Sequence, residues 1–532
     1  MALYWFVVLP LMIALVSYLS NSKRTKVIVL FIQVAFFILS IINFIDVRTN
    51  GTKLEVIGGY DIGVGITLKA DLFSSVMVSL TIFLFSCMLL YNYKKSYVNH
   101  LFLFLFIALQ GLISGIFLSN DLFNIYVMIE VSTIVVTILI VFKKDSKSIY
   151  DGIVYLFTNL ASMTLFLFGI GYIYKIFGTT DLTLLSERLP LVENPRTLIL
   201  PFVLMITAVD LKSAIMPLFS WLPKAHGTAS APSIISAILS GLYVKGGVYL
   251  FIRITNLFQP VFDEMLIFMI FGFMTAVIGW VFALSQTDIK LILAYSTVSQ
   301  IGVIVFGLSL NSTYGYWGAI YHILNHAIFK STLFLTAGII VDEYHTRDIR
   351  EIRGVFKRMP YVSIASIFAI LGITGAPLFN GNFSKNLIHE GMSDSLLFEL
   401  AFFIINVGTI LIFIKYAQML RGDSKEHFHI GWNQKFVILL LAATCFLGGI
   451  FGPIIMSVMF DFEVYVSASS YLSKLFIYLF TLLVGILFYR YVYLQMRLFT
   501  KIRELELTFN QIIMAIVIFF TGFLSMMIVQ FG

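Results

Sequence analysis

Sixteen apolar runs follow one another along the chain, at about residues 2–19, 27–45, 70–92, 99–118, 121–142, 150–175, 198–217, 233–252, 263–284, 290–308, 317–341, 362–390, 398–415, 436–459, 471–490 and 508–530. Each approaches the ~20 residues a helix needs to cross hydrocarbon. In lipid the backbone must satisfy its own N–H and C=O groups, so such runs specify spanning helices. Composition agrees: 59% of residues are hydrophobic and 12% charged, whereas a soluble domain is about a quarter charged. The expected fold is an all-α polytopic membrane protein. Cys87 and Cys445 fall inside apolar runs and read as buried small hydrophobes, with no disulfide framework or metal motif. The first run lacks a basic flank and a small-residue cleavage pattern, so it is expected to stay as the first span.

The net charge of +7 need not mean a nucleic-acid partner, because its distribution has a better explanation. When alternate loops are compared, one side holds 23 of the 35 Lys and Arg residues and the other holds 8, leaving Lys212, Lys245, Lys330 and Lys385 within spans. The positive-inside rule places the rich side in the cytoplasm and both termini outside. One missed helix would scramble this alternation. Residues 52–71 alternate and carry paired glycines, predicting a β-hairpin that caps the outer face. Residues 342–361 read as an amphipathic cytoplasmic connector near anionic lipid. The chain divides on this reading into residues 1–69 (two helices and the hairpin), a core at 70–420, and C-terminal helices at 421–532 that contact other subunits.

A charge at mid-bilayer costs roughly 2.5–3.5 kcal/mol on insertion scales, so the four lysines left in the membrane need partners or water. Lys330 lies about 20 Å into its helix at 1.5 Å per residue. His326 and His322 precede it at helical spacing, so all three share a face. An HxxxH pair can hold zinc, but the intervening Glu and a clear third ligand are missing, and no metal is expected. A static polar network is another reading. A proton relay fits best, since histidine titrates near neutrality and burial disfavours a charged amine. Glu130 is also deep in its span, and its expected partner is a buried lysine, in a salt bridge that both braces and switches. Lys212 precedes Pro217 and Pro223, and Lys385 follows Gly375, Pro377 and the Asn380–Gly381 pair. Such breaks survive in hydrocarbon only beside protein or a water-filled cavity. They fall in the seventh and twelfth spans, five apart, which predicts inverted repeats of spans 4–8 and 9–13. Lys245 sits near Gly241, Gly246 and Gly247, which allow close helix approach. The expected path is a mid-membrane file, Glu130–Lys212–Lys245–Lys330–Lys385, with His326, His322 and the helix breaks as side exits to water.

The stretches KSAIMPLFSWLPKAH (212–226), APSIISAILSGLYVKGGVYLFIR (231–253), DIKLILAYSTVSQIG (288–302), HILNHAIFKSTLFLTAG (322–338) and GAPLFNGNFSK (375–385) resemble the proton-conducting membrane transporter family. That family covers antiporter-like subunits of respiratory complex I, Mrp-type sodium/proton antiporters and group 4 membrane-bound hydrogenases. With Glu130, the resemblance covers about residues 70–420. It implies a fourteen-helix fold with two inverted five-helix repeats, and roles in proton transfer for Glu130, Lys212, Lys245, Lys330 and Lys385. Lys385 and Lys245, with Ser240 where another branch has histidine, resemble the D subunit of Mrp antiporters and its hydrogenase-linked homologues most. Two features depart from the pattern. The last two runs exceed fourteen helices and are expected to dock a neighbouring subunit or lie on the surface. Lys224 stands where many relatives carry an acid, at the inner mouth.

The expected function is proton translocation, with sodium as the candidate exchanged ion, inside a multisubunit complex of a prokaryotic cell membrane. Expected partners are small and antiporter-like membrane subunits, the lipid bilayer, and, in a redox-driven complex, peripheral redox subunits. No cofactor is expected in this chain, which carries no cysteine cluster, dinucleotide fingerprint or haem-attachment motif. The alternatives are a subunit of a complex I type NADH:quinone oxidoreductase, a stand-alone carrier of a small solute, and a membrane-embedded transferase using His226 or His345.

Overall fold

The computed structural model describes residues 2–20, 24–142, 144–227, 231–392, 395–423, 428–465 and 468–531. Lys23, Lys143 and Lys425, three of the basic loop residues that set the expected orientation, lie outside them. In chain order the helices are α1 Trp5–Leu19, α2 Thr25–Asn50, α3 Leu72–Asn92, α4 His100–Leu118, α5 Leu122–Ile140, α6 Ser146–Phe177, α7 Leu182–Arg188, α8 Ile199–Lys212, α9 Trp221–Gly227, α10 Ser233–Ile238, α11 Val244–Phe258, α12 Met265–Ser285, α13 Ile289–Leu308, α14 Thr313–Tyr344, α15 Val355–Arg358, α16 Pro360–Thr374, α17 Asn380–Glu390, α18 Leu396–Ala417, α19 Trp432–Ile450, α20 Gly452–Phe460, α21 Ala468–Tyr491, α22 Leu498–Arg503 and α23 Phe509–Phe531. Between α2 and α3, strands β1 Lys53–Val56 and β2 Thr67–Ala70 pair antiparallel with Lys53 opposite Ala70. Among the described residues, 13 helices are long and apolar enough to span a bilayer. With α1, α8 and α16, which are shorter, they account for all sixteen apolar runs.

The chain forms two compact units, one of residues 1–213, 243–264 and 508–532, the other of 214–242 and 265–507. In the first unit, a capping box opens α3, Asp71 accepting from the Ser74 backbone at 2.8 Å and Ser74 Oγ accepting from the Asp71 N–H at 2.9 Å. Arg253 pairs with the same carboxylate. Burial works against the Asp71 charge, but Arg253 and the cap outweigh it and hold the carboxyl below its usual range. In the second unit, Met269 and Ala276 of α12, Phe306 of α13, Ile388 of α17 and Phe402 of α18 form an apolar core.

The two units contain matching series of elements. Asp121 caps α5, and Asp288 caps α13, 167 positions later. Helices α6 and α14 are both 32 residues long, start the same distance apart, and end in left-handed caps at Gly178 and His345. Asp121 bridges to Asp181, and Asp288 to Asp348. The hydrogen bonds match as well: Leu122 N–H donates to Thr180 O at 3.0 Å, and Ile289 N–H to Arg347 O at 2.9 Å. Asp348 is held below the usual carboxylate range chiefly by its hydrogen bonds from the Arg350 side chain. The connector at 342–361 is therefore clasped to the start of α13 rather than a loosely solvated loop.

Candidate functional site

Both predicted helix breaks are present. After Lys212 the backbone leaves the helix, passes Pro217, and resumes at Trp221, with Pro223 inside α9. After Thr374 it leaves again through Gly375 and Pro377, and resumes at Asn380. Each break holds a non-glycine residue in the left-handed region, Ala214 at φ 57° and Leu378 at φ 71°. Backbone in such conformations persists only where the surroundings fix it. Gly375 takes φ 80° as the cap of α16, a conformation glycine adopts without strain.

In the first unit Lys212 is buried and uses all three ammonium protons. It donates to Thr133 Oγ1 at 2.9 Å, Asn159 Oδ1 at 3.0 Å and Tyr243 Oη at 2.9 Å. Its charge also lies 4.7 Å from the centre of the Tyr243 ring, within reach of a cation–π attraction. The expected salt bridge to Glu130 is absent among the described residues. The reason is geometric: Thr133, one turn beyond Glu130 on α5, reaches the amine first. Glu130 itself is half-buried. Lys245 is fully buried on α11. Beside it, a β-carbon on Gly247 would lie 2.7 Å from the Lys212 carbonyl carbon, so glycine lets α11 touch the end of α8.

In the second unit Lys330 has 0% exposure. Its amine donates to Leu293 O at 2.8 Å and to Ser296 Oγ, both on α13. Both acceptors are neutral, so no counter-ion offsets its desolvation. His326 and His322 are equally buried, with ring centres 6.5 Å apart. The Gln300 amide nitrogen donates to Thr409 at 3.2 Å, which leaves its oxygen to accept from His322 Nε2–H at 3.0 Å. His322 Nδ1 is hydrogen-bonded to Ser384 Oγ at 2.9 Å, which ties α14 to α17 beside Lys385. The Lys385 amine is buried, with no hydrogen-bond partner among the described residues.

Sequence reasoning passed over three kinds of group. Tyr243, Asn159 and Thr133 are uncharged, and nothing marks them within apolar helices. Asp210, two residues before Lys212, is fully buried, and neither of its oxygens has a hydrogen-bond partner among the described residues. Its charge type was the available signal. Third, Leu239–Tyr243 is a π-helical segment inside the helix Ser233–Phe258. It delivers Tyr243, and such segments are frequent at functional sites. Lys224 pairs with Glu506, just beyond α22, so the C-terminal segment brings a carboxylate to that position.

Together these features define a polytopic α-helical membrane protein with two interrupted helices and ionisable groups buried beside them. The family model described as NADH:quinone oxidoreductase/Mrp antiporter, TM, matches residues 119–414, more than half of the chain, and the chain belongs to that family. It is 29% identical over 471 residues to the D subunit of the Na(+)/H(+) antiporter of Alkalihalophilus pseudofirmus, covering 84% of this chain and 94% of the relative. Two solved structures share the fold. A chain of the Mrp complex from Dietzia sp. DQ12-45-1b aligns with TM-score 0.80 at 22% identity, over 86% of this chain and 96% of that one. A chain of the membrane-bound sulfane sulfur reductase, an archaeal respiratory membrane complex, aligns with TM-score 0.80 at 23% identity, over 91% and 99%.

Proposed function

We propose that this chain is the proton-translocating, antiporter-like subunit of a multisubunit complex in a prokaryotic cell membrane, with both termini outside. The observation that carries the reading is His322, His326 and Lys330, buried at four-residue spacing on one helix, with the amine held by neutral acceptors alone. A group that holds a proton without a fixed counter-ion can hand it on, and water bridges the gaps that side chains leave. Glu130, Lys212 and Lys245 serve the first unit, and Lys330, Lys385, His322 and His326 the second. Spans 4–8 and 9–13 act as inverted repeats, each with one interrupted helix. Sodium is the exchanged ion, on the strength of the name of the Na(+)/H(+) antiporter relative. The partners are other antiporter-like and small membrane subunits, with peripheral redox subunits in a redox-driven assembly.

The test is purification from the native membrane, followed by reconstitution of the isolated chain and of the whole assembly in liposomes. Sodium-coupled proton movement is expected from the assembly and not from the chain alone. Full activity from the isolated chain would instead identify a stand-alone carrier.

A further inference from the structure

Helix α21, in the first of the two apolar runs beyond the fourteen that the resemblance implies, has more to do than dock a neighbour. Its Lys474, Ile477, Tyr478 and Thr481 fall at i, i+3, i+4 and i+7, one stripe of the helix. That stripe lines a cavity of about 250 Å3. Lys385 and His389, one turn apart on α17, open into the same space, as does Glu399 from the first turn of α18. Two polar atoms beside it are buried without hydrogen-bond partners among the described residues, Lys385 Nζ and Asn406 Oδ1. Tyr478 Oη meets Thr374 Oγ1 at 3.2 Å, in the last turn before the break. Lys474 pairs with Glu390 at the end of α17. A second cavity of about 210 Å3 shares Asn382, Asn386 and Lys474 with the first, so the ion pair stands where the two spaces meet. At about 30 Å3 per water in the liquid, the larger cavity has room for several waters. Away from this stripe α21 presents Phe476, Leu483 and Leu487, all exposed, as a lipid-facing side would; Ile477, at the edge of the stripe, is exposed as well, while Thr481 is buried.

We propose that α21 is a wall of the ion path: the cavity is a water-filled vestibule that joins Lys385 to the aqueous phase, and the Lys474–Glu390 pair is its outer gate. The proton leaves the Lys385 ammonium, whose N–H electron pair stays on nitrogen as the lone pair of the neutral amine. Water carries it to the His389 imidazole and the Glu399 carboxylate, and then past the gate. The proposal rests on the reading of this chain as a proton carrier.

Single cysteines at Ile477, Thr481 and Phe476 in the full complex test it, with a membrane-impermeant, positively charged methanethiosulfonate as probe. Cys87 and Cys445 are buried, so the wild type gives the background. Reaction is read by mass, and proton transport is measured before and after. Ile477→Cys and Thr481→Cys should react and then lose about tenfold or more of their transport, while Phe476→Cys stays unreactive in lipid. Equal reaction at all three positions, no reaction at 477 and 481, or reaction without loss of transport would overturn the vestibule. Lys474→Glu should lower transport several-fold and Glu390→Lys added to it should restore it. Failure of the double variant to recover, while it still co-purifies with its partners, would overturn the gate. A wild-type complex that moves no protons would sink the underlying reading instead, and the labelling pattern would still decide whether the cavity is wet.

Discussion

At the residue scale, the proposed proton transfer turns on amines held by uncharged acceptors. Lys212 has three, and Tyr243 is the one supplied by the π segment. Tyr243→Phe removes one acceptor and leaves Thr133 and Asn159. Transport should fall about tenfold or more while assembly is unchanged, measured as proton uptake by reconstituted complex, since a hydrogen bond made by a charged group is worth about 1.5–3 kcal/mol. A second residue prediction concerns pH. Glu264, in the loop before α12, is 2% exposed and its carboxyl is pushed up to about 7, first by burial and then by Asp263. A carboxyl raised in the folded state binds more protons there than in the unfolded chain, so stability falls as pH rises from about 4.5 to about 7. Glu264→Gln should therefore raise the Tm by a few degrees at pH 8 and leave it unchanged at pH 4, read by thermal unfolding in detergent. The lysines and histidines of the candidate site were legible in the sequence, because such a residue stands out in an apolar run. Tyr243 and Asn159 were not, because an isolated tyrosine or asparagine in such a run carries no mark of what it will face.

At the element scale, both interrupted helices could be read from Pro217, Pro223, Gly375 and Pro377. Proline removes a donor, and the cost of that in lipid restricts where it can occur. The π segment left no comparable trace, since its composition suits an ordinary helix. The matching series of elements was legible in a way that counting spans did not use. Asp121–Leu122 and Asp288–Ile289, like Asp181–Leu182 and Asp348–Ile349, are acid–aliphatic pairs at one spacing, and each acid sits where a backbone bridge forms. Gly247→Ala tests the close approach of α11 to α8. The new β-carbon would meet backbone rather than a flexible side chain, so the Lys212 end of α8 must shift. Transport should fall about a hundredfold in a complex that still purifies intact. Truncation before residue 465 should lower the yield of assembled complex, seen by size-exclusion chromatography, and should also remove the α21 wall beside Lys385.

At the scale of the whole molecule, each of the two units contains a helix that ends abruptly, a buried lysine beside or beyond it, and long helices capped in the same way. Proton transfer through such a protein needs every station, because a desolvated gap without an ionisable group stops the chain of transfers. The most direct test is proton movement by the reconstituted complex carrying Lys330→Ala or Lys385→Ala, with subunit composition checked on the same sample. Each variant is expected to assemble normally and to lose at least about a hundredfold in ion-coupled transport. Wild-type transport by both variants would contradict a relay through these amines.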